Sequence, residues 1–141
     1  MRVFLGVLLA AAAVTTFASA ASSLPMFRTP SGNIGCYYSP KDPTTAAYLR
    51  CDIRTRLKPT PPKPARCVDL DWGDSYELNL TGRARLTCHG DTAIDPRARV
   101  LAYGVTWRRN GFSCVSRLAG LTCRNRSGHG FFLSRKRWYR F

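Results

Sequence analysis

The chain has 141 residues and a formal net charge of +14, from 22 Lys and Arg against 8 Asp and Glu. That length allows one domain with a modest core, and no segment beyond the N-terminal region is apolar enough to cross a membrane as a helix. The charge is mostly arginine, 18 Arg to 4 Lys, which favours anionic partners such as nucleic acid, anionic headgroups or acidic wall polymers; solubility and an arginine-rich coding bias account for the same composition.

Met1-Arg2 is a short positive start, Val3 to Ala13 is almost wholly apolar, and Ala18-Ser19-Ala20 places small residues where a signal peptidase reads. This pattern predicts a secretory signal peptide over residues 1–20, cleaved after Ala20. The apolar run is short for a membrane span, no basic stop-transfer cluster follows it, and no cysteine follows at once to carry a lipid. Residues 21–141 are then a single secreted β domain, with a net charge of about +13 once Arg2 is removed.

Six cysteines follow the signal: Cys36, Cys51, Cys67, Cys88, Cys114 and Cys123. An even count in a small exported chain reads as a disulfide framework. There is no C-x-x-C pair, and the spacings do not match zinc knuckles, so no metal and no cofactor is called for.

In chain order, Pro30-Ser31-Gly32-Asn33 is a turn. Ile34, Cys36 and Tyr38 alternate as a strand does. Ser39 to Thr45 is loop. Leu49, Cys51 and Ile53 alternate again, with Arg50, Asp52 and Arg54 facing the other way. Lys58 to Ala65, KPTPPKPA, forbids helix and central strand and reads as a stiff extended loop. Tyr76, Leu78 and Leu80 make the next strand, and Leu86 and Cys88 share a face of a returning one. Val100 to Tyr103 and Val105 to Trp107 are strand pieces interrupted by Gly104. Asn110-Gly111 is a strong hairpin turn; Phe112 and Cys114 follow it, Gly120 closes the next turn, and Leu121 and Cys123 return. After a glycine-rich turn at Asn125 to Gly130, Phe131 to Leu133 and Trp138 to Phe141 are the last strands. Nothing after the signal has helical apolar spacing.

A weak repeat runs through this order. A hydrophobic residue stands two before each odd cysteine (Ile34, Ala65, Phe112), and leucine two before each even one (Leu49, Leu86, Leu121). Three hairpin-like units fit it, each with an entering and a returning cysteine. Six cysteines allow about fifteen connectivities; the repeat selects the sequential set, 36–51, 67–88 and 114–123, because cross-strand neighbours lie within bridging distance. The fold class expected is all-β: a small disulfide-stapled sandwich or barrel built from antiparallel hairpins. Three units also permit a trefoil-like arrangement.

At FRTPSGNIGC, LTCHGDT, VLAYG, FSCVSRLAGLTCRN and GHGFFLSR, the chain resembles a family of small secreted, six-cysteine bacterial proteins, mostly actinobacterial, of unassigned function. The resemblance covers nearly the whole chain after the signal, and its most specific part is the turn before the first cysteine. It implies an exported, disulfide-linked domain and carries over no catalytic or binding residue.

Three constellations carry candidate chemistry. A ribonuclease-like hydrolase would need a base, an acid and a cation on the phosphate; His89, His129 and Glu77 are the residues available, but no motif of such nucleases is present, and exposed loop positions chosen for turn chemistry account for both histidines. Asp69, Asp71, Asp74 and Glu77 crowd one stretch as calcium ligands do, but the spacing departs from an EF-hand loop, and a turn with Asx hydrogen bonds and salt bridges is the better reading. Arg108, Arg109, Arg124, Arg126, Arg135, Lys136 and Arg137 flank Trp107, Phe132, Trp138 and Tyr139, an interleaving that suits stacking with phosphate contacts. Ordinary alternation in a sheet, aromatics inside and arginines outside, produces the same pattern. Asn79-Leu80-Thr81 and Asn125-Arg126-Ser127 match the glycosylation sequon and are expected to stay bare. The preferred expectation is a monomeric, secreted, non-enzymatic module that binds an anionic polymer or cell-envelope surface, with Arg108, Arg109, Arg124, Arg126, Arg135, Lys136, Arg137 and Trp138 as the contact set. The hydrolase is the alternative.

Overall fold

A computed structural model describes residues 25–141, so the expected signal peptide lies outside the described residues. Eleven strands follow in order: β1 (Met26–Arg28), β2 (Ile34–Ser39), β3 (Tyr48–Ile53), β4 (Ser75–Asn79), β5 (Arg85–Leu86), β6 (Arg99–Val100), β7 (Thr106–Arg109), β8 (Phe112–Arg117), β9 (Gly120–Arg124), β10 (Gly130–Leu133) and β11 (Trp138–Arg140). Among the described residues there is no helix. A six-stranded sheet has the order β5-β4-β3-β2-β1-β6, and a five-stranded sheet the order β11-β10-β9-β8-β7. Every pairing is antiparallel except β1 with β6, which is parallel.

The alternation read from the sequence decides which side of each strand is buried. Leu49, Cys51 and Ile53 of β3, and Leu121 and Cys123 of β9, turn inward and lose all exposure. The sheets meet strand over strand. Phe27 lies 5.1 Å from Trp107, Tyr38 lies 5.9 Å from Phe112, and Tyr76 stacks on Phe131 at 5.7 Å between ring centroids. At the centre, Cys51 Sγ and Cys123 Sγ touch across the two sheets at 4.0 Å. The sandwich core therefore contains two disulfides packed against each other.

The bridges are Cys36–Cys51, Cys67–Cys88 and Cys114–Cys123. The first and third join directly paired residues of adjacent strands, with Cα atoms 4.1 Å apart. The second is different and corrects the expected second hairpin unit, between Cys67 and Cys88. Neither Cys67 nor Cys88 lies in a named strand, β5 stops at Leu86, and Ala65 is exposed. The bridge instead ties the proline-rich loop to the segment after β5. The strand expected over Val105 to Trp107 is β7, displaced to Thr106–Arg109. The turn at Asn110-Gly111 forms as expected, both residues having positive φ (44° and 89°).

Candidate functional site

Strand direction sorts the turns to the two ends of the sandwich. The β8–β9 turn (Leu118-Ala119) and the β10–β11 turn (Ser134 to Arg137) share one end. The β1–β2 turn of the other sheet meets them there, and Tyr103 joins from the loop before β7. Together they enclose a cleft of about 610 Å³. Its lining includes Arg117, Arg135, Lys136 and Arg137 but no Asp or Glu.

Each turn is held by local polar chemistry. Ser134 Oγ accepts from the backbone N–H of Lys136 (3.3 Å) and Arg137 (3.1 Å) and donates to the Arg137 carbonyl at 2.9 Å. This Ser turn stands three consecutive cations on a rigid base. On the opposite wall, the Thr29 carbonyl accepts from Gly32 N–H at 2.9 Å, and Thr29 Oγ1 accepts from Ile34 N–H at 3.3 Å. Gly32 has φ of 67°, a conformation glycine adopts freely. Asn33 Nδ2 donates to Thr55 Oγ1 at 3.3 Å. Arg137 also lies over the Phe132 ring, 5.5 Å from its centroid. Among the described residues, no carboxylate forms a salt bridge with any of the four cleft cations.

The structure divides the residues expected to form one binding face. Arg135, Lys136 and Arg137 line this cleft. Arg108 and Arg109 line a shallower depression of about 370 Å³ around the β7–β8 turn, at the opposite end of β8. Arg109 stands 4.8 Å over the Tyr38 ring, and Arg126 lies beside Gly111, whose added Cβ would meet its Nε at 3.4 Å. Arg124 covers Phe141 at 4.4 Å. Trp138 faces the other sheet: its ring packs on Tyr76 at 5.5 Å and its Nε1–H donates to the Pro59 carbonyl at 2.7 Å. Arg117, Leu118, Tyr103 and the Thr29–Asn33 wall are additions that sequence reasoning missed, because only strand register brings them together.

A family model described as "Family of unknown function (DUF6636)" matches residues 3–141. The chain belongs to this family. No curated protein and no solved structure matches it. Family membership assigns no chemistry, so the side chains carry the functional argument. Three disulfides in a domain of this size suggest an extracellular, oxidising location.

The three residues of the hydrolase alternative have separate partners. His89 is 7% exposed, and its Nε2 donates to Asp74 Oδ1 at 2.7 Å. Its Nδ1 is buried and has no hydrogen-bond partner. His129 Nδ1 donates to the Phe141 carbonyl at 3.3 Å. Glu77 pairs with Arg85 on the outer face of β4 and β5. Among the described residues, no hydrogen bond or ion pair joins any two of the three. The acidic stretch is similarly dispersed: Asp71 pairs backbone to backbone with His89, and Asp74 takes the imidazole. The one group of three ligand-type side chains that converges among the described residues is Cys36, Cys51 and Cys123, all disulfide-bonded.

Asn125 is a buried organiser. Its Oδ1 accepts from Ser127 N–H and His129 N–H, and its Nδ2 donates to the carbonyls of Asn79 and Gly82 at 2.9 and 2.8 Å. That sequon asparagine therefore clamps the β9–β10 turn to the chain following β4.

Proposed function

We propose that the protein is a secreted, non-enzymatic binding module for an anionic extracellular polymer or envelope surface, which it holds in the end cleft. The observation that carries this reading is the convergence of Arg117, Arg135, Lys136 and Arg137 from two turns around a cleft with no lining carboxylate. Cations gathered in a concave, acid-free site concentrate field and attract polyanions. Loops at the end of a rigid sandwich are also where binding residues are commonly presented.

The test is incubation of the oxidised protein with single-stranded RNA, as a generic polyanion, at graded salt, scoring both retention and strand length. Four phosphate contacts give a log–log salt slope of about −3, and Arg135→Gln with Arg137→Gln reduces its magnitude by about 1.4. Arg108→Gln with Arg109→Gln leaves the slope nearly unchanged. No retention at low salt, or retention indifferent to the cleft substitutions, overturns the reading. RNA shortened by the wild type, but not by His89→Ala or His129→Ala, would make the protein an enzyme instead.

A further inference from the structure

Leu118 stands at the tip of the β8–β9 turn with 86% of its surface exposed, the highest value among the exposed large hydrophobic side chains of the described residues. A lone exposed leucine is ordinary; its setting here is not. The turn is Leu118-Ala119, both exposed, whereas the β7–β8 turn is the polar Asn110-Gly111. Beside the apolar tip are the four cleft cations, and Tyr103, 41% exposed, lines the same cleft.

We infer that this end of the sandwich docks on an anionic lipid surface, with Leu118 entering the boundary between headgroups and acyl chains and the cleft cations holding lipid phosphates around it. The inference rests on the cleft being an anion site, as proposed above, and names its partner. Surface binding of this kind needs two signals, an apolar insertion and a basic patch, because neither holds alone. Both are present within one turn's reach. Tyr103 suits the interface as an apolar ring with a polar end. The aliphatic tip is what separates lipid from nucleic acid: a base or a sugar ring stacks on an aromatic face, and Leu118 offers none. Only an apolar medium repays its removal from water.

The experiment uses the oxidised protein with vesicles of phosphatidylcholine, with and without phosphatidylglycerol, read by co-sedimentation. Binding is expected only with the anionic lipid and is expected to fall as salt rises. Leu118→Ala should weaken vesicle binding at least about tenfold and leave RNA retention unchanged; an exposed tip residue is not needed for folding. Lys136→Gln should weaken vesicle binding about fivefold and also reduce RNA retention. Leu118→Trp should show a fluorescence blue shift and quenching by brominated lipid. Retained RNA without vesicle binding would overturn the lipid inference and leave the anion cleft standing. Vesicle binding indifferent to Leu118→Ala would overturn insertion, and with it this inference. Loss of both ligands in the wild type would overturn both readings.

Discussion

On β3 the residues either side of Cys51 are Arg50 and Asp52; on β9 the residues either side of Cys123 are Thr122 and Arg124. All four point away from the core, because the cysteine between each pair points into it. Yet Arg50 is 7% exposed and Asp52 1%, while Arg124 is exposed and Thr122 half-exposed. The difference is a cover. The segment from Asp91 to Ile94 lies across the outer face of β2 and β3, so close that a Cβ on Gly35 would stand 2.7 Å from the Ala93 carbonyl oxygen. Among the described residues, no such segment buries the outward side chains of β8 and β9. Two hairpins with the same inward disulfide thus have opposite outward lives. One is capped and structural; the other is open and ends in the cleft.

The cap is held by a fully satisfied buried pair. Asp52 accepts from Arg50 Nε and Ser75 Oγ on one oxygen, and from Arg50 Nη2 and Ala93 N–H on the other, all at 2.6 to 2.9 Å. Arg50 Nη1 reaches Asp91 Oδ1 at 2.9 Å, and Nη2 the Asp91 carbonyl at 2.9 Å. Burial pulls the Arg50 guanidinium pKa down, but the hydrogen bonds and charges of Asp52 and Asp91 outweigh it and leave it raised. A pair this well bonded need not stabilise the fold relative to an apolar substitute, but breaking one side of it is costly.

The largest expected effect follows. Arg50→Ala leaves Asp52 buried without its counter-charge and should cost about 3–5 kcal/mol. Arg124→Ala, its counterpart on the open hairpin, loses a contact with Phe141 and should cost under about 1 kcal/mol. Urea denaturation of the oxidised proteins compares them. Equal shifts in the midpoint would mean that the cover is not what distinguishes the two hairpins.

The inward side should show the opposite result, near equality. Replacing Cys36 and Cys51 by alanine opens a loop with a sequence separation of 15, and replacing Cys114 and Cys123 opens one of 9. Chain entropy gives about 3 kcal/mol for the first and about 2.6 for the second. Both pairs sit in the same core and touch through Cys51 and Cys123, so the cavities left should be alike. Thermal unfolding that separates the two double variants by more than about 1 kcal/mol would sink the claim that these bridges are equivalent.

This split marks what was legible in the sequence. Alternation around Cys36, Cys51, Cys114 and Cys123 gave the strands, the inward faces and the pairing, because period two is a local signal. It also placed Arg50 and Asp52 outward, but local pattern could not tell that outward meant buried: the cover comes from residues 41 positions further on. Cys67 misled the repeat because VDLDWG, beyond it, pairs only through Asp71, in a single bridge to His89, and forms no strand, so a matching cysteine did not mean a matching hairpin. At the candidate site, Arg135-Lys136-Arg137 was visible as a run. Arg117 and Leu118 were not, since their place beside that run depends on β9 lying between β8 and β10.

The smallest expected effect tests the outer edge of the cap. Asp91 bonds Arg50 with a side chain that is 83% exposed. The hydrogen bond from Arg50, and then its charge, holds the Asp91 carboxyl below the usual carboxylate range. A depressed folded pKa means the contact stabilises above the unfolded value of about 3.9 and is lost as pH falls through the lower, folded value. Solvent screening keeps it small, under about 1 kcal/mol. Asp91→Asn should therefore lower the melting temperature slightly at neutral pH, and the gap to wild type should close as pH falls below about 4. Arg124→Gln, on the hairpin with no covering acid, should leave a gap that does not change over the same window. A constant gap for Asp91→Asn would mean that the cap is held by Asp52, Ser75 and the Ala93 amide alone, with Asp91 contributing only its backbone carbonyl.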